Sequence, residues 1–354
     1  LQHISSARQL SLKQKQLLEE FARIGHVEPE HVLPPLQAST WNYRRRARLG
    51  VRWVFKKEKA LVGFRERNSS FITELKGCEV LRAPVNALIE PLTALVSDLS
   101  VRAKLAQIEV AVADNATALV FRLLDDPTAD DRVAMTGFGT RHHVDIYLQR
   151  GGYETIAPLS ANAQPLYYRL PKFDVGLQFE PSDFIQVNGE LNERMTEIAI
   201  DLLQLESTHS VLDLFCGLGN FSLPLARHAG RVLGLEGDAA LVERARANAK
   251  HNDIANAEFL VSNLMAEELD APWTRAHYDR VLIDPPRAGA REVLPIIAKC
   301  GASRVVYVSC HPGSLARDAG VLVNDFGFRL RSAGVMDMFP HTTHVESIAL
   351  FERQ

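Results

Sequence analysis

Cysteine is scarce in this chain and poorly spaced: Cys78, Cys216, Cys300 and Cys310 stand apart, with no CxxC pair among them. Neither a disulfide framework nor a zinc site is readable from such spacing, and the pattern points to a reducing, cytoplasmic compartment. Long apolar runs are missing too; nothing approaches the roughly 18 residues that a membrane span requires. The opening residues, LQHISSARQLSLKQKQ, lack the basic-then-apolar layout of a secretory signal. Internal repeats and low-complexity tracts are absent, which excludes a repeat array or a disordered tether as the organising principle. What remains is an ordinary globular composition, 46% hydrophobic and 23% charged over 354 residues, enough for two domains with full cores. A monomer without membrane contact is expected. Because the chain opens at Leu1 rather than Met, a further segment is expected upstream.

The net charge of −3 by itself argues against a nucleic-acid partner, but its distribution argues otherwise. Residues 43–67, YRRRARLGVRWVFKKEKALVGFRER, hold ten Lys or Arg against two Glu, a local +8, so the remainder carries −11. An acidic body with one basic, aromatic-interleaved stretch suits a localised phosphate-contacting surface. The plainer reading is a solvated hairpin face.

Hydrophobic rhythm changes along the chain. Residues 11–24, SLKQKQLLEEFARI, open with a Ser cap and carry apolar residues three and four apart, which predicts an amphipathic helix in a helical segment over 1–42, packed on the catalytic domain. From 43 to 183, short runs such as LGVRWVF, ALVGFRE, IEVAVAD, ALVFRLL, VDIYLQR and VGLQFEP are set off by polar turns. They predict a mainly antiparallel domain with one helical interruption near 86–104. From 184 to 354, apolar strands VLDLF, RVLGLE, EFLVS, RVLID and RVVYVS alternate with helical stretches, the pattern of a parallel, doubly wound sheet. GVMDMF and SIALFER read as closing antiparallel edge strands. The expected fold class is therefore α/β, a Rossmann-like domain preceded by a β-rich, α+β domain.

In LDLFCGLGNFS a strand enters a Gly-x-Gly turn and then a helix; Gly217 and Gly219 let the backbone turn sharply and approach a ligand. Glu236 ends the next strand nineteen residues after Gly217, the distance expected of an acid that binds ribose hydroxyls. The third glycine of a dinucleotide fingerprint is absent, Ser222 standing there, and Asn220 and Phe221 fill the turn where a pyrophosphate needs room. S-adenosylmethionine fits this pattern better, with Asn263 placed to face adenine. A plain tight turn is the bland alternative.

Asp284-Pro285-Pro286-Arg287 follows the fourth strand of this domain, where open α/β sheets place ligands. A related motif with an aromatic in the last position holds an exocyclic amine for methylation; Arg287 suits a phosphate or carbonyl oxygen instead. Cys310 follows the next strand, just before a helix beginning at Pro312, and a helix N-terminus lowers a thiol pKa. A packing cysteine is the ordinary alternative; Cys216 and Cys300 read that way. A thiolate beside a methyl donor has a specific use. Carbon 5 of a pyrimidine is a poor nucleophile, and thiolate addition at C6 generates an enolate that attacks from C5. A base must then remove the C5 proton. Glu346, His341 and His344 are the candidates; an edge-strand carboxylate facing solvent is the plain reading of Glu346, and a partly desolvated carboxylate with a raised pKa, set against the apolar MFP and IALF, is the functional one.

DLFCGLGNFSLPLA, DPPRAG, YVSCHPGSLARD and MFPHTTHVESIALF, in that order, resemble the RNA uracil-5-methyltransferases. YRRRARL, GFRERNSS and FIQVN are similar to the iron–sulfur-containing bacterial branch that acts on 23S rRNA. The resemblance covers nearly the whole chain. It implies Cys310 as nucleophile, Glu346 as base, and a methyl-donor site of Gln186, Phe215, Asn220, Glu236, Asn263 and Asp284 beside Gly217. It implies RNA contact by the β-rich region, with Arg44, Arg45, Arg46 and Arg48 on phosphates, and a flipped target base. Phe184 and Phe339 are stacking candidates, though core positions are the commoner role. The branch binds a [4Fe–4S] cluster through four cysteines; only Cys78 matches, so either the chain is a truncated or cleaved form whose other three, with an RNA-binding β-barrel, stand upstream, or cluster binding is lost. His311 stands where the family has Asn. Methylation of a transfer RNA uridine, amine methylation and RNA binding without turnover are the rival readings.

Overall fold

The computed structural model describes residues 1–66, 68–266 and 270–353. Two compact units divide the chain: Leu1–Thr40, Arg169–Leu177 and Glu190–Gln354 form the first, Trp41–Tyr168 and Gln178–Gly189 the second. Where the sequence suggests one boundary near 184, the chain changes units at four places.

Helix α1 (Ser6–Glu20) opens the first unit, capped by Ser5, whose hydroxyl accepts from the Arg8 amide. It starts well before Ser11, so Ser11 is an interior residue and the true cap lies upstream. Leu10, Leu17 and Phe21 supply its buried stripe. A two-residue strand, β1 (His31–Val32), follows.

The second unit contains β2 (Arg46–Val54), β3 (Lys59–Gly63), α2 (Ile89–Asp98), β4 (Leu105–Val112), β5 (Thr117–Leu123), α3 (Ala129–His142), β6 (Asp145–Gln149) and β7 (Ala157–Pro158). Its sheet runs β3-β2-β4-β5-β6-β7. The predicted interruption near 86–104 is α2. Helix α3 is an addition: it carries the chain from β5 to β6 and makes that pair parallel, the one parallel neighbour in a sheet otherwise antiparallel. Gly137 and Gly139 inside it, and a weak apolar stripe, hide it from periodicity. Its start was legible, because Thr128 and Asp131 form a reciprocal capping box.

A hairpin of β8 (Leu166–Leu170) and β9 (Val175–Phe179) comes next. The first unit then continues through α4 (Gly189–Leu203), β10 (Ser210–Leu214), α5 (Ser222–Ala226), β11 (Arg231–Glu236), α6 (Ala239–His251), β12 (Ala257–Val261), β13 (Arg280–Ile283), α7 (Leu294–Lys299), β14 (Arg304–Ser309), α8 (Pro312–Gly320), β15 (Phe328–Met336) and β16 (Glu346–Arg353). Its sheet order is β1-β15-β16-β14-β13-β10-β11-β12. Strands β10 to β14 are mutually parallel, and the chain moves outward through β11 and β12 before returning across β10 to β13. That reversal opens a crevice beyond the carboxyl ends of β10 and β13. Apolar residues on both faces bury these strands, as a helix-covered parallel sheet requires.

Strand β16 corrects an expectation. It lies inside the sheet, antiparallel to both β14 and β15, so SIALFER is not an edge. Among the described residues, no helix is long and apolar enough to cross a membrane.

Candidate active site

The turn after β10 holds Phe215, Gly217 and Gly219 at φ 65°, 54° and 97°. A side chain on Gly217 would meet nothing within 4 Å, so the backbone borders open space. Glu236, at the end of β11, faces this turn: its carboxylate accepts from the amides of Gly217 at 3.1 Å, Gly237 at 2.7 Å and Asp238 at 3.1 Å. An acid so held is pre-oriented for hydroxyl donors, and the open glycine turn gives an amino-acid end room to approach. These residues fit S-adenosylmethionine. Asn220 exchanges hydrogen bonds of 2.8 and 3.0 Å with Asn192 on α4, a buried partner that sequence reading missed. Asn263 is exposed, and its side-chain oxygen accepts from the Met265 amide at 3.2 Å. Asp213, wholly buried in β10, is a second omission. Desolvation pushes it up to about 7, and it accepts from the Ser222 hydroxyl. Ser222, which displaces the third glycine, thus ties the start of α5 to the strand. An acid inside an apolar strand was the available signal.

Beyond β13 and β14 lie Asp284, Arg287 and Cys310. Strands β14 and β16 are paired out to Ser309 and Ser347, and the next residues outward are Cys310 and Glu346. Glu346 is only 7% exposed; burial, reinforced by Asp284, pushes its carboxyl up to about 8. Burial also pushes Asp284 up to about 7. The Cys310 thiol moves opposite to expectation. Burial, then Glu346 and Asp284, raise it to about 11, while Arg287 pulls the other way. Desolvation and two carboxylates therefore outweigh the start of α8.

Of the alternative bases, His344 is exposed and its Nδ1 lies 3.1 Å from Arg287 Nη2. His341 Nδ1 lies 3.2 Å from Gln9 Nε2 on α1. Phe339 is half-buried with its ring 5.1 Å from that of His344. A buried ion pair, Lys13 to Asp337 at 2.7 Å, joins α1 to the segment after β15, and Lys13 also donates to the Phe339 carbonyl. A pocket of about 210 Å³ is lined by Arg287, Cys310, His311, Thr343, His344 and, from α1, Gln16 and Glu20, among others.

His311 acquires a role here. It caps α8, Nδ1 accepting from the Ser314 amide at 3.1 Å. Asn makes the same kind of cap with its side-chain oxygen, so the departure from the family pattern preserves the helix start beside Cys310. His311→Asn is expected to leave stability unchanged, and His311→Ala to cost about 1 kcal/mol. Urea denaturation of the two variants checks this; equal stability would remove the capping role.

The arginines of the basic stretch divide. Arg45 is 5% exposed, faces Asp114 at 3.4 Å and lies over the Tyr168 ring. Arg46 is half-buried and donates to the Pro181 carbonyl, and burial draws its pKa down. Both make these polar contacts within the second unit. Arg44 is half-buried, donating to the Arg46 carbonyl, and Arg48 is exposed beside Glu109. Arg67, the last residue of the stretch, lies outside the described residues. Gln186, half-buried, and Phe184, 70% exposed, also belong to the second unit. Cys78 is that unit's only cysteine. Among the described residues no three His, Cys, Asp or Glu could hold a metal ion together. The four thiols among the described residues stand apart and do not by themselves make the four-cysteine ligand set of a [4Fe–4S] cluster.

Comparison with known proteins bears on this crevice. The family model described as tRNA (uracil-5-)-methyltransferase matches residues 5–354. The 23S rRNA (uracil(1939)-C(5))-methyltransferase RlmD of Stenotrophomonas maltophilia strain K279a is 49% identical over 354 residues, 100% of this chain and 80% of the relative. RlmD of Xylella fastidiosa strain Temecula1 is 50% identical over 353 residues, with the same coverage. Among solved structures, Pyrococcus abyssi tRNA (uracil-54, C5)-methyltransferase in complex with S-adenosyl-L-homocysteine matches with a TM-score of 0.78 at 25% identity, over 99% of this chain and 84% of that one. With its Rossmann-like first unit and its glycine turn, DPPR and cysteine loops gathered at one end of the sheet, the chain belongs to the tRNA (uracil-5-)-methyltransferase family and is an RNA uracil-C5 methyltransferase.

Proposed function

We propose that this chain transfers a methyl group from S-adenosylmethionine to C5 of a uridine in 23S rRNA, through a covalent bond between Cys310 Sγ and C6. The observation that carries the reading is the adjacency of Cys310 and Glu346 at the ends of paired strands, where the negative charge of Glu346 helps hold the thiol protonated. Gly217 and Glu236 border the space for the donor, with Phe215, Asn220, Asn263 and Asp284 of the same unit as further contacts. When bound, the donor supplies an electrophilic methyl group on a sulfonium. Cys310, as thiolate, adds to C6, and the electron pair displaced onto C5 would form the new carbon–carbon bond to that methyl as its bond to sulfur breaks, the donor leaving as the neutral thioether. Glu346 then takes the C5 proton, the C5–C6 double bond re-forms and Cys310 leaves as thiolate. Arg287, the cation that faces both groups, is placed to stabilise the charge developing on a uracil carbonyl oxygen.

The names of the 49–50% identical relatives support ribosomal RNA as the substrate. The family description and the archaeal neighbour keep a transfer RNA uridine as the second reading. The chain, incubated with unmodified 23S rRNA and unmodified transfer RNA, is expected to place 5-methyluridine in the ribosomal RNA alone. Mass-spectrometric mapping of nuclease fragments reads the outcome. Methyl on transfer RNA only, or on an exocyclic nitrogen, would overturn the proposal.

A further inference from the structure

The basic stretch has a second half that methyl transfer does not use. Its arginines at 45 and 46 turn inward, but the turn between β2 and β3 points outward. Phe55 there is 77% exposed, followed by exposed Lys56 and Lys57, and Arg52 is exposed on the strand leading to it. The phenylalanine is not a stray apolar residue on a mobile tip. Its ring meets Trp53 edge-on, with centroids 6.4 Å apart, and Trp53 is backed on its own face by the Arg102 guanidinium at 4.7 Å.

A second exposed ring comes from the following segment. Residues 64–66 pair with 71–73, Glu66 donating to the Phe71 carbonyl and Thr73 to that of Phe64. The returning arm lies against β2, where Ile72 fills the space a side chain on Gly50 would need. Arg52 donates to the Ser70 carbonyl at 3.4 Å, tying this arm to the strand that carries Phe55. Phe71 follows directly and is 63% exposed. Lys57 and Lys59 are held by Glu74 at 3.0 and 2.8 Å. Lys56 makes no ion pair among the described residues.

We propose that Phe55 and Phe71, flanked by Arg52 and Lys56, form a stacking platform for unpaired nucleotides of the substrate RNA. Exposed aromatic faces among cations suit single strands, because every base offers a π-face and the phosphates between bases meet the positive charge. A duplex hides its base faces and offers only its backbone. Charge complementarity favours RNA as the occupant, since the surrounding stretch of 43–67 carries +8 on an otherwise acidic chain. The platform rests on the reading that the substrate is RNA, but it is separable from the chemistry at Cys310.

The test uses the full chain, a 12-nucleotide uridine-rich RNA, its duplex form and an abasic version of the strand. Phe55→Ala is expected to weaken single-strand binding about tenfold, the scale of one lost stacking contact. Phe55→Trp should restore it, while duplex binding stays unchanged and the abasic strand binds wild type and Phe55→Ala alike. In turnover with unmodified 23S rRNA, Phe55→Ala should raise KM and leave kcat unaltered. Single-strand affinity equal to wild type in Phe55→Ala would overturn the platform, as would equal losses on the duplex. A Phe55→Ala defect confined to ribosomal particles, with naked RNA bound normally, would overturn it in favour of a protein partner. If 5-methyluridine forms normally while these binding outcomes fail, the platform is wrong and the methyltransferase reading stands.

Discussion

Replacing Cys310 by alanine is expected to lower methyl transfer by roughly 10⁴-fold or more, the scale on which losing a nucleophile costs an enzyme that works through a covalent intermediate. The change removes one sulfur from a half-buried position at a pocket wall, so fold and donor affinity should survive. The discriminating measurement is covalent. RNA with 5-fluorouridine at the target should form an adduct with the wild-type chain that persists in a denaturing gel, because fluorine at C5 cannot leave as a proton. Cys310→Ala should form none. No adduct from a wild-type chain that binds donor and RNA would sink the covalent route.

The thiol's environment makes that outcome informative. At about 11, Cys310 would supply only about one thiolate in 10⁴ at pH 7. The causes are burial and the negative charges of Glu346 and Asp284, so the resting site suppresses the nucleophile. Protonation of Glu346 lifts part of that penalty, and Arg287 already opposes it. A bound sulfonium would oppose it further. By these charges the thiol is little ionised without substrates, and positive charge assembling around it would favour the thiolate.

Much of this crevice was legible because its signals are local. A glycine pair after an apolar strand, DPPR after another and a cysteine after a third each occupy a few residues, and the alternation of strands and helices puts all three at one sheet end. What escaped is what only distant partners decide. Lys13 and Asp337 lie 324 residues apart in sequence and 2.7 Å apart in space, and no periodicity in SLKQKQLLEE announces that a lysine is to be buried. Arg45 and Arg46 read as surface charge until Asp114 and Pro181 meet them. SIALFER looks like an edge because strand order is not encoded in strand composition. The inward placement of β16 is also what buries Glu346, so the strand was misread while its acid, set in an apolar run, was legible as a desolvated carboxylate. Helix α3 failed for the opposite reason, since its capping box was local and plain but its glycines broke the stripe.

Glu346→Gln is expected to stop the reaction after methylation. Addition of Cys310 and methyl transfer need no base at C5, so both can proceed, whereas elimination waits on loss of the C5 proton. Turnover should fall by roughly 10²–10⁴-fold, the range that a general base contributes, and a methylated RNA–protein adduct should accumulate with ordinary uridine. Wild type should show no such accumulation. A Glu346→Gln chain that turns over at the native rate would exclude Glu346 as the base and return attention to His344 and His341. The pH dependence follows from the same burial. With Glu346 titrating at about 8 in the free protein, its ionised form grows as pH rises, so kcat/KM should climb through about pH 8. Stability moves the other way. A carboxyl whose folded pKa lies above its unfolded value stabilises the fold fully below the unfolded value of 4.5 and loses that contribution as pH rises through 8. Glu346→Gln, which cannot ionise, should therefore match wild type in thermal stability near pH 4.5. Above pH 8 it should exceed wild type, by on the order of a few kcal/mol. Equal melting temperatures at pH 9 would mean that the carboxylate is already compensated in the free protein.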